Sequence, residues 1–147
     1  MKSGPANAAV RVAAPSVFMV VLILAVVSLV ARWPHQFGGS GSREQMLSDF
    51  VTSGTATAPP LFIIVIFGVV AFAVARHDRW GAAALVALLA LAVMMALGSL
   101  GEALAAATPD VPRLVQYLSG AFGVVAALLL FVLGAAALWE RRRPARI

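Results

Sequence analysis

The sequence predicts an all-α integral membrane protein: a four-transmembrane-helix antiparallel bundle with a short amphipathic helix in its first extracytoplasmic loop. Three observations carry this. Of 147 residues, 62% are hydrophobic and 12% charged, where soluble domains carry roughly 45–50% and about 25%. Four stretches contain no charged residue: Val12–Ala31, Phe50–Ala75, Trp80–Gly101 and Leu114–Trp139. They are 20, 26, 22 and 26 residues long, and about 20 suffice for a helix to cross a bilayer core of about 30 Å. The runs are continuous rather than alternating. Backbone groups in hydrocarbon must be satisfied internally, so helices are expected and a barrel is not. With a mean hydropathy of +0.97, the chain reads as a single membrane domain, residues 1–147.

The first span is expected at about 13–32. Residues 1–11 are small, polar and basic, and read as a mobile lead-in, with Pro15 in the first helical turn, where a missing N–H matters little. A basic start followed by Val17–Ala31 also resembles the n- and h-regions of a signal peptide. Leu29, two positions before Ala31, does not suit the small-residue cleavage pattern, and the next loop is extracytoplasmic on either reading. That outer loop covers 33–58 and opens with Pro34 and the flexible Gly38-Gly39-Ser40-Gly41. Ser42-Arg43-Glu44-Gln45 then fits a capping box. Met46, Leu47, Phe50 and Val51 follow on one helical face, with Arg43, Glu44 and Asp49 toward water. Such a helix lies on the membrane surface or, the favoured reading, simply covers the bundle as part of the loop.

Thr52–Ala58 is small and threonine-rich, and Pro59-Pro60 opens the second span, about 59–76. Its strongly apolar part, Leu61–Ala75, is short, so Arg76 is expected to snorkel. The turn Arg76-His77-Asp78-Arg79 leads into the third span, about 80–106. Thr108-Pro109-Asp110-Val111-Pro112 breaks the chain, with Thr108 or Asp110 as the cap of the fourth span, about 111–139. A basic tail, 140–147, completes the chain.

Orientation follows from charge. Placing the N-terminus, the Arg76–Arg79 turn and the C-terminus on one side collects eight basic and two acidic residues there, against three basic and four acidic opposite. The excess of basic residues on the cytoplasmic side predicts cytoplasmic termini in a plasma-membrane protein. Trp80 and Trp139 then sit at the inner interface and Trp33 at the outer one. The net charge of +5 reads as orientation rather than as nucleic-acid binding.

Little in the spans can carry chemistry. The 21 residues from Gly81 to Glu102 make about 32 Å of helix, which puts Glu102 near the outer edge of the hydrocarbon. Folding the fourth span back brings Ser99, Glu102, Gln116, Tyr117 and Ser119 into one outer polar cluster, with Arg113 above it and Thr52–Ala58 at the same height. Glu102 is the leading binding candidate, because ionisable groups at membrane depth tend to mark sites. The plainer alternative leaves it among headgroups, with Gln116 and Tyr117 as interfacial anchors. Gly98, Gly101, Ser119, Gly120, Gly123 and Ala127 offer small-residue spacing for close helix packing. His77 beside Asp78 is an exposed turn residue before it is a pH sensor. Arg141, Arg142, Arg143 and Arg146 are expected to meet anionic lipid, or to act only as a topology anchor. No metal site, cofactor or catalytic residue is expected, and the absence of cysteine excludes disulfides.

These features favour a non-enzymatic accessory or interaction subunit, partnered by another membrane protein or by copies of itself. A small oligomeric transporter or channel subunit using Glu102 is the second reading. A lipid-headgroup enzyme using Glu102 and Tyr117 is the third.

Overall fold

The computed structural model describes residues 4–33, 44–104 and 111–142. Among them are five helices and no strand: α1 (Pro5–Val30), α2 (Met46–Thr52), α3 (Leu61–Ala73), α4 (Arg79–Leu104) and α5 (Arg113–Arg142). Three of these, α1, α4 and α5, are long and apolar enough to cross a membrane. Only 28%, 22% and 33% of their most apolar windows is buried, so most of their hydrophobic surface faces outward, as in a membrane protein. Lys2, the Ser42-Arg43 start of the capping box, the Gly38–Gly41 stretch, His35, Thr108, Asp110, Arg143 and Arg146 lie outside the described residues.

Packing runs from α1 to α3, α3 to α4, α4 to α5 and α5 back to α1. Each of these pairs is antiparallel. On α1 and α3, Arg11 meets His77 at one end and Ser28 meets Thr57 at the other. Phe18 packs against Gly68 and stands edge-on to Phe67 and Phe72, with ring centroids 5.8 and 6.1 Å apart. On α4 and α5, Ser99 faces Gly123 and Leu89 faces Gly134. A Cβ on Gly123 would overlap the Ser99 hydroxyl, so glycine sets how closely these two helices approach.

The first helix starts earlier than composition suggests. α1 begins at Pro5 and carries Pro15 inside it, so residues 5–11 are helical rather than a mobile lead-in. The reason is a cap from the far end of the chain. Glu140 on α5 accepts the backbone N–H groups of Ala6 and Asn7, both at 3.0 Å, two of the donors a helix start leaves unsatisfied. At its other end α1 closes through the Arg32 N–H to Leu29 O and the Trp33 N–H to Ser28 O, with Arg32 at φ 53°. This is the reverse turn that commonly stops a helix.

The α2 helix differs from expectation in its face. Met46 and Asp49 are its buried residues, while Leu47 and Val51 are exposed. The Asp49 backbone carbonyl accepts the N–H groups of Ser53 and Gly54, closing the helix at its C-terminal end.

The turn that follows leads into the shorter apolar helix α3. Gly54 has φ +94°, and a Cβ there would collide with the Ala58 carbonyl, so no L side chain fits. Residues 54–58 are non-helical and all buried. Thr57 pins them to α1, pairing with Ser28 Oγ at 2.7 Å and donating to Leu24 O at 3.3 Å. Pro59-Pro60 keeps the backbone extended until α3 starts, and α3 itself is 13 residues long. At the opposite end, Asp78 Oδ1 accepts the Gly81 N–H at 3.1 Å and caps α4.

Candidate functional site

The two ends of the helix assembly are built differently. At the end holding Asn7, Arg11, His77 and Arg141, polar side chains lock onto one another. Asn7 is 5% exposed, donates to Glu140 Oε2 and Ala137 O, and accepts from Arg141 Nε at 2.8 Å. Arg141 also donates to Val74 O at 3.0 Å, satisfying a carbonyl at the end of α3, where a cation is favoured. This guanidinium, expected among lipid-facing cations, is therefore used inside the protein, whereas Arg142 is exposed. In the neighbouring turn Arg76 and Asp78 form an ion pair at 2.6 Å. The Arg76 guanidinium and the Gly81 N–H hold the Asp78 carboxyl down at about 2.

The opposite end is hollow. A cavity of about 400 Å³ lies between α1, the 53–60 stretch, α3, α4 and α5. That is within the usual range of small-molecule sites, about 300–1,000 Å³. It follows α4 from Leu91 to Glu102, about 16 Å along the helix. Phe67, Leu91, Phe122 and Leu130 give it apolar walls. Phe62, Met94 and Gly98 also line it and are exposed, so it opens sideways between α3 and α4. A Cβ on Gly98 meets nothing within 4 Å, which marks that residue as part of the mouth.

Polar groups gather at one end of this cavity. Ser53, Thr55 and Thr57 come from the unwound stretch, Ser99 and Glu102 from α4, and Ser119 from α5. Ser119 Oγ donates to Glu102 Oε1 at 3.3 Å and to Gln116 O at 3.0 Å. Gln116 Nε2 donates to the Glu102 backbone carbonyl at 3.2 Å. Glu102 is the only charged side chain on the cavity wall among the described residues. Thr55 is 5% exposed, and its hydroxyl has no hydrogen-bond partner among the described residues.

Of the residues singled out in the sequence, Ser99, Glu102, Gln116 and Ser119 come together. Tyr117 is 57% exposed and Arg113 is also exposed, so neither joins the cluster. One residue is about 100° of helix, enough to turn Tyr117 out when Gln116 faces α4. Gly98 and Gly101 meet no neighbour within 4 Å and do not make the close helix contact. Ser99 makes it with Gly123, while Gly120 and Ala127 are buried on the same face of α5.

No family model, curated protein or solved structure matches this chain. Its chemistry must therefore be read from its own residues.

Sequence reasoning missed the cavity, the Thr55 hydroxyl and the lock formed by Asn7, Glu140 and Arg141. The Thr52–Ala58 composition was the one available sign of the first two. Small residues with hydroxyls, next to two prolines, suit backbone that must lie buried without forming a helix.

Proposed function

We propose that this chain is a non-enzymatic accessory protein of the plasma membrane that holds an amphiphilic small molecule in the cavity beside Glu102. The observation that carries the reading is the shape and lining of that cavity. It is a sideways-opening apolar trough, reached from the lipid-facing surface and closed by a polar cluster at one end. An amphiphile matches both parts, with its tail along Leu91–Met95 and its headgroup among Ser99, Glu102 and Ser119. Binding is favoured over catalysis because, among the described residues, the wall offers one carboxylate and no second ionisable group to work with it.

In this reading the chain crosses the bilayer four times with both termini cytoplasmic. The 17 residues of α1 from Arg11 to Ser28 correspond to about 26 Å, and His77 and Thr57 lie at the same two levels. The second segment covers that depth with 13 helical residues plus an extended stretch. Non-helical backbone is tolerated at membrane depth where protein covers it, and residues 54–58 are buried. The α2 helix then lies in the extracytoplasmic loop, and Arg142 faces anionic lipid.

The test is photolabelling in lipid nanodiscs with a diazirine-bearing alkyl alcohol. Saturable labelling is expected within 91–99 and 119–130, and Gly98→Phe should bring it to background while the protein stays folded. Labelling spread evenly over outward residues such as Val26, Val65 and Val132 would contradict the proposal.

A further inference from the structure

We infer that the cavity's ligand is a cationic amphiphile whose positively charged headgroup pairs with the Glu102 carboxylate. This rests on the binding reading above and adds the chemistry of the headgroup. A carboxylate has room for about four donors, and Glu102 receives one, from Ser119. No arginine or histidine pairs with it among the described residues. Removing an ionised carboxylate from water without a counter-charge is expensive. The chain meets that need elsewhere: Glu140, near the other end, accepts from Ala6, from Asn7 N and from Asn7 Nδ2.

Gln116 Nε2 donates to the Glu102 backbone carbonyl, and Glu102 itself lines the cavity. A cationic headgroup compensates its carboxylate, a neutral one leaves it uncompensated, and an anionic one is repelled. Thr55, from a different element, also lines the cavity, but its hydroxyl has almost no accessible surface and no partner among the described residues. The remaining wall, from Val21 and Leu24 to Phe122 and Leu130, is apolar and suits the tail.

Three diazirine-bearing alkyl probes of one tail length test this in zwitterionic nanodiscs, with trimethylammonium, hydroxyl or carboxylate headgroups. On the wild-type protein the trimethylammonium probe should label 91–99 and 119–130 about tenfold more strongly than the alcohol, a factor worth about 1.4 kcal/mol. The carboxylate probe should label least. Equal labelling by all three would overturn the inference while leaving the binding reading intact, whereas absent saturable labelling by the alcohol would sink the binding reading itself. Glu102→Gln should abolish the cation preference, so that the trimethylammonium and alcohol probes label to the same extent. A retained cation preference in that variant overturns the inference. Should Glu102→Gln fail to assemble, the wild-type comparison, which needs no substitution, decides alone.

Discussion

Glu140 and Glu102 sit near opposite ends of the same protein, each on a helix face turned inward, and are treated in opposite ways. Glu140 is wrapped by donors from α1, two of them backbone N–H groups that would otherwise have no partner. Glu102 has one serine hydroxyl and an open cavity. The first carboxylate holds the fold together. The second is left with capacity to spare, and on the function proposed above the ligand sits at the Glu102 end.

The largest effect is expected where the network is complete. Asn7→Leu removes contacts to Glu140, Ala137 and Arg141 together, including hydrogen bonds to charged groups worth about 1.5–3 kcal/mol each. Unfolding in mixed micelles should show a loss of about 3 kcal/mol or more. A loss as small as that of a surface substitution would break the contrast between the two ends. Gly54→Ala comes next, since it forces a side chain into a left-handed turn and against the Ala58 carbonyl. It should cost on the order of 2 kcal/mol and weaken alcohol-probe labelling, because it moves the wall that carries Thr55.

At the mouth of the cavity the sign reverses. Gly98→Ala meets open space and gains helix propensity, so stability should rise by up to about 1 kcal/mol. A measurable fall would mean that Gly98 packs against something. The smallest effect belongs to the exposed Arg76–Asp78 turn. The Asp78 carboxyl is held down at about 2, below its value in an unfolded chain, so its contribution is present above the ordinary carboxylate range. It should be lost as pH falls from that range toward 2, and Asp78→Asn should lower the neutral plateau slightly and flatten the acid limb of a stability–pH profile, leaving stability below pH 2 unchanged.

Much of this was legible in the sequence for a simple reason. Where helices are continuous, counting residues at 1.5 Å each gives depth. Residue spacing alone therefore places Ser99, Glu102, Gln116 and Ser119 together. Counting fails where the chain departs from the helix or is held from afar. The start of α1 depends on Glu140, 134 residues away from Ala6, and no local pattern around Pro5 records that. Spacing starts the second span at Pro59 and leaves Thr52–Ala58 as loop, but it does not foretell that residues 54–58 lie buried, folded in by the Gly54 turn. Tyr117 and Gln116 share a depth but not a face. Asp49 is buried on α2 although an apolar-face pattern puts it toward water.

The central claim is that the trough along α4 is built to be occupied. Native mass spectrometry of the protein extracted directly into lipid nanodiscs measures this most directly. The wild type should retain one amphiphile through release of the bulk lipid, and Gly98→Phe, folded to the same extent, should retain none. Wild type and Gly98→Phe retaining the same molecules, or neither retaining any, would contradict it.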